Sequence, residues 1–104
     1  MRRWALLFSM LPALAFAADG KDIALHGNAG GALPCAACHG VNGAGNGAIG
    51  APALVGLPAG VIEAALGRFA QGQGGNALMQ SIAQALSPDE RQAVAAYYAG
   101  LKKP

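Results

Sequence analysis

Charged side chains are scarce in this 104-residue sequence, at 12%, and aromatic ones scarcer still, at 6%. The formal charge is only +2, and Arg2 and Arg3 stand at the very start of the chain. A nucleic-acid partner requires a clustered basic face, so that class of function is excluded. No stretch alternates apolar and polar residues for long and β-branched residues are few, which argues against a sheet. Nor is there an internal repeat. With two cysteines and two histidines in all, a zinc site made of paired Cys-x-x-Cys motifs is not available.

What is present begins with an address. "MRR" is a short basic start, "WALLFSMLPALAFA" is apolar, and Ala15-Phe16-Ala17 fits a small-x-small cleavage site. Together they read as a secretory signal peptide over residues 1–17. The apolar run has fourteen residues and includes Pro12, short of the roughly 20 that a spanning helix needs. No cysteine stands at the cleavage point to take a lipid. Residues 18–104 then form one small domain with five bases (Lys21, Arg68, Arg91, Lys102, Lys103) against five acids (Asp19, Asp22, Glu63, Asp89, Glu90). Its net charge is zero. A domain of this size with so few aromatics needs a staple: a disulfide, a metal or a cofactor.

The periodicity is helical throughout. "DGKDIALHGN" (19–28) reads as a short helix burying Ile23 and Leu25 and stopped by Gly27-Asn28. Residues 61–70 place Ile62, Leu66 and Phe69 on one face, and "QGQGGN" (71–76) ends that helix. Residues 77–86 bring Met79, Ile82 and Leu86 into register. Ser87 and Glu90 form a capping box with Pro88 at the first helical position, opening a last helix striped by Val94, Tyr97, Tyr98 and Leu101. Residues 42–60, rich in glycine, read as a long irregular loop of the kind that is usually functional. The expected architecture is all-α: three or four short helices joined by glycine-rich loops.

"CAACH" (35–39) holds both cysteines and one histidine. A disulfide between Cys35 and Cys38 closes too short a loop to constrain the unfolded chain much. A thioredoxin-like redox pair belongs beside strands, and zinc lacks ligands. The remaining reading is covalent attachment of a c-type haem, for which Cys-x-x-Cys-His is the signature. On one helical turn Cys35, Cys38 and His39 share a face, so both thiols and the imidazole address the same group. Export agrees with this, and so does the missing staple. The glycines after the motif are expected to let the loop pass close to the porphyrin.

A haem held by His39 has one further axial position. Met79 is the sole methionine outside residues 1–17, and it follows a glycine-rich turn able to bring the chain over the iron. Core packing is its bland alternative. His26, at the end of the first helix, is the rival ligand.

"CAACHG", "APALVG", the single methionine, "IAQALS" and "AVAAYYAGL", in that order, resemble the motif run of class I bacterial cytochromes c, over essentially all of residues 19–102. The resemblance implies a cytochrome c domain of three to five helices wrapped around one haem, with the first and last helices packed together. It implies thioethers at Cys35 and Cys38, His39 as proximal and Met79 as distal ligand, and Pro52 as the residue whose carbonyl receives the second N–H of His39. Two features depart from the family pattern: Val61-Ile62 where an aromatic is frequent, and "GQGGN" where an arginine often precedes the methionine.

The function so implied is periplasmic, soluble electron transfer without catalysis. Its partners are redox proteins such as an exported dehydrogenase, an oxidase or other cytochromes, with no stable membrane insertion after signal cleavage. Two alternatives stand beside it: a cytochrome subunit of an exported dehydrogenase complex, and, if Met79 is labile, a ligand-binding or peroxidase-like haem protein.

Overall fold

Helix α1 (Gly20–His26) opens the described part of the chain, capped by Asp19, whose carboxylate accepts from the Asp22 N–H at 3.1 Å. The structure is a computed structural model and describes residues 18–102. The signal peptide expected over residues 1–17 and its cleavage point lie outside the described residues. Four further helices follow: α2 (Ala36–His39), α3 (Ala59–Ala70), α4 (Ala77–Gln84) and α5 (Pro88–Ala99). A 3-10 turn occupies Gly47–Ile49, inside the glycine-rich loop. Among the described residues there is no strand, only an isolated bridge between Asn46 and Ala51. The all-α expectation holds.

Helix α1 packs on α5, and α3 packs on both α4 and α5. The first contact is close because it is made by small residues. A Cβ at Gly20 would collide with the backbone of Ala93, and Ala24 and Ala95 are fully buried. Ala24 therefore does the work expected of Leu25, which is only half-buried. Ile23, Ile62, Leu66, Leu86, Val94 and Tyr98 complete the core, with Tyr98 and Val94 the largest side chains fully enclosed.

The helix ends follow from sequence chemistry. Ser87 accepts from the Glu90 N–H and Glu90 Oε1 from the Ser87 N–H, at 3.1 and 2.9 Å, with Pro88 in the first turn. Such a cap stabilises a helix by about 1 kcal/mol. Helix α3 starts two residues before the expected 61, because Pro58 already has the extended backbone of a cap residue and leaves Ala59 free to begin the first turn. Together α3, α4 and α5 form one wall of a cleft. The segment from Leu33 to Leu57 lines the same cleft.

Candidate functional site

Residues 35–39 make one helical turn, with the His39 N–H donating to the Cys35 carbonyl at 2.9 Å. That turn turns Cys35, Cys38 and His39 toward the same cleft. The cleft has a volume of about 300 Å³ and is lined across the way by Leu66, Phe69, Met79 and Ile82. Pro52 lines it as well. None of its lining residues is Asp, Glu, Lys or Arg. Leu33, Ile49, Val61 and Leu78 stand around its mouth, each more than half exposed.

His39 is buried, at 8% exposure. Its Nδ1 lies 2.8 Å from the Pro52 carbonyl oxygen. A carbonyl can only accept, so Nδ1 carries the proton and Nε2 keeps a lone pair. This is the tautomer a metal-binding imidazole needs.

The loop that delivers Pro52 is held by two glycines. The Gly45 N–H donates to the His39 carbonyl at 2.8 Å, and the Gly43 carbonyl accepts from the N–H groups of Leu54 and Val55 at 2.8 and 3.0 Å. Gly45 has φ +81°, and a Cβ there would stand 2.7 Å from the Ala53 nitrogen and 2.8 Å from the Ala51 oxygen. The glycine-rich loop lines the cleft at Gly50, and its glycines also have a second use. They let two stretches of the chain itself meet, which puts Pro52 over His39.

Cys35 and Cys38 are both free and half-buried. Burial pushes the Cys35 thiol up, against a backbone hydrogen bond that lowers it. Tyr98 closes the floor of the cleft and its hydroxyl donates to the Gly40 carbonyl at 3.4 Å. Burial, with Cys35 and Tyr97 nearby, pushes its hydroxyl well above the usual phenol range, so it stays a neutral donor.

Met79 sits in the first turn of α4, its N–H held by the cap residue Asn76 at 2.9 Å. His26 is exposed and borders a separate small depression with Asp19, Lys21, Asp22 and Leu25. The cleft therefore brings together Cys35, Cys38, His39, Pro52 and Met79, and leaves His26 out.

Among the described residues no three His, Cys, Asp or Glu side chains are grouped to hold a metal by themselves. One imidazole and one thioether lining the same apolar cleft suit instead a metal that arrives with further ligands of its own. Two thiols on the imidazole's side, in an apolar cleft, suit a macrocycle with unsaturated edges. The residues fit a c-type haem.

The side chains that brace this site were not legible in the sequence. Asn28, Gln80 and Arg91 bond to backbone carbonyls around α4. An asparagine after a helix stop signals a turn, but nothing in a sequence names a carbonyl 57 residues away.

Comparison with known proteins bears on the same residues. The family described as cytochrome C oxidase, cbb3-type, subunit III matches residues 22–97. A thiosulfate dehydrogenase electron acceptor of Stutzerimonas stutzeri (strain A1501) is 44% identical over 101 residues, which are 96% of this chain and 45% of that relative. The cytochrome c4 structure of Acidithiobacillus ferrooxidans superposes with a TM-score of 0.74 at 35% identity, over 79% of this chain and 48% of that one. The thiosulfate dehydrogenase structure of Marichromatium purpuratum gives 0.74 at 37% identity, over 79% of this chain and 18% of that one. The chain spans less than half the length of the curated relatives it matches. No helix among the described residues is long and apolar enough to cross a membrane.

Proposed function

The chain belongs to the c-type cytochrome family described as cytochrome c oxidase, cbb3-type, subunit III, and from that premise we propose that it is an exported one-electron carrier that accepts electrons from a dehydrogenase. In this reading residues 1–17 are removed on export and the domain works in the periplasm. A relative that bears the name thiosulfate dehydrogenase electron acceptor makes a thiosulfate-oxidising dehydrogenase the leading candidate for the donor. The chain has no catalytic role of its own.

The observation that carries this reading is a single apolar cleft lined by Cys35, Cys38, His39 and Met79 together. Cys35 and Cys38 would hold the haem by thioethers, and His39 Nε2 and the Met79 sulfur would ligate its iron. The bound haem supplies a ferric/ferrous couple. His39 keeps its donor nitrogen aimed because its other nitrogen is committed to Pro52. Met79, a softer donor than a second imidazole, raises the potential. Leu66, Phe69 and Ile82 keep water out of the cleft, while the uncharged mouth leaves an edge open to a partner.

Two measurements test this. The protein, matured in a host competent in haem attachment, should show the far-red thioether–iron band, and Met79→Ala should abolish it and let the reduced protein bind carbon monoxide. Stopped-flow mixing with a thiosulfate dehydrogenase and thiosulfate should reduce the haem. A wild-type protein that binds carbon monoxide readily at neutral pH would favour a ligand-binding role instead.

A further inference from the structure

Helix α4, which carries Met79, has only eight residues. A helix that short is unstable alone and takes its position from whatever satisfies its ends. Its N-terminal end is tied locally, by Asn76 to the Met79 N–H and by Gln80 Nε2 to the carbonyls of Gly72 and Gln73 at 3.1 and 3.2 Å.

Its C-terminal end is tied from far away. Asn28 Nδ2 donates to the Ala85 carbonyl at 2.8 Å and to Glu90 Oε1 at 2.9 Å. The Oδ1 of the same side chain accepts from the Ala32 N–H at 2.8 Å. Both amide protons are thereby used. One amide joins the loop leading into Cys35, the end of α4 and the first turn of α5. The loop backbone also rests on this point, since a Cβ at Gly30 would lie 3.0 Å from the Ala85 oxygen. Arg91 Nη1 covers the neighbouring carbonyls of Ala83 and Leu86, at 3.1 and 2.7 Å, and leaves that of Ala85 to Asn28.

We propose that Asn28 is a positioning residue for Met79: by tying the Ala85 carbonyl to the segment that leads into Cys35, Cys38 and His39, it sets how firmly the thioether is held across the cleft. The proposal rests on the reading of Met79 as distal ligand. His39 and Met79 line the cleft from different segments of the chain, which the Tyr98 hydroxyl also joins by a long bond to the Gly40 carbonyl at 3.4 Å. The Asn28 amide is a direct polar tie between the two, and loosening it frees α4 to shift while the His39 side stays in place.

The test compares four haem-loaded variants with the wild type: Asn28→Ala, Asn28→Asp, Met79→Ala and Asp19→Ala. The last removes the cap of α1, far from α4, and is a control for general destabilisation. The ferric proteins are titrated with imidazole, which must displace Met79 to bind. Both Asn28 variants should bind it about tenfold more tightly than the wild type, the size expected for one net hydrogen bond. Their far-red band should fade at correspondingly lower imidazole concentration, while Asp19→Ala lowers Tm and keeps the wild-type affinity. Asn28→Asp retains an acceptor for the Ala32 N–H and carries the test if Asn28→Ala does not mature.

Wild-type imidazole affinity in the Asn28 variants, with a lowered Tm, would overturn the proposal. So would failure of both to acquire haem, which would assign the amide to the attachment segment alone. A far-red band that survives Met79→Ala would remove the ligand reading itself, and the positioning role with it.

Discussion

His39 Nδ1 and the Pro52 carbonyl oxygen stand 2.8 Å apart because Gly45, and not a residue with a side chain, lies between the two segments that carry them. The bond makes the imidazole a stronger donor, and the glycine makes the bond possible.

Gly45→Ala should therefore act on the iron as well as on the fold. Its positive φ and the backbone contacts at 2.7 and 2.8 Å should cost roughly 1–3 kcal/mol of stability. The displaced Pro52 carbonyl weakens His39 as a donor, so the ferrous state gains and the potential rises. Thermal unfolding and a redox titration of the same sample check both parts.

Tyr98 separates packing from polar contact. It is 1% exposed, and Tyr98→Ala should destabilise the protein by roughly 3–5 kcal/mol. Its bond to the Gly40 carbonyl is long, at 3.4 Å. Tyr98→Phe should cost about 1 kcal/mol or less, as denaturant titration would show.

Glu90 gives the fold an acid limb. Its carboxyl is held below the ordinary value of 4.5, chiefly by the Ser87 N–H and further by the Asn28 amide and the Ser87 hydroxyl. A group lowered on folding contributes stability above its unfolded value and loses it as pH falls through the folded one. Tm should thus decline from about pH 4.5 downward, and Glu90→Gln should flatten that decline. Melting curves between pH 3 and 7 decide it.

Encounter with redox partners should depend little on salt. From Ile23 through Ile62 the sequence has no Asp, Glu, Lys or Arg, and the cleft has none among its lining residues. Without charge at the docking edge there is little steering to screen. Association rates measured between low and physiological ionic strength should change by less than about threefold; a steep fall would contradict it.

Much of this was legible in the sequence because it is local. The capping box at Ser87 and Glu90, the stop at Gly27 and the shared face of Cys35, Cys38 and His39 each lie within one or two turns. The close contact of α1 with α5 was harder to see, because Gly20, Ala24 and Ala95 make it and a hydrophobic pattern weights large residues. Hidden entirely were the long-range ties of Asn28 and the close approach of Gly45 to the backbone of Ala51 and Ala53. These depend on which carbonyls are left unpartnered after folding, a property of the tertiary structure.

The locality of residues 35–39 also bears on the order in which the protein is made. Their turn is closed by backbone bonds within Pro34 to Gly40, so a chain still unfolded can sample it and present both thiols on one side. Pro52 and Met79 reach the cleft only when the glycine loop and α4 have docked. In the proposed reading, the two thiols would therefore be available as a pair before the rest of the chain folds, and the glycine loop and α4 would dock afterwards around whatever group they hold.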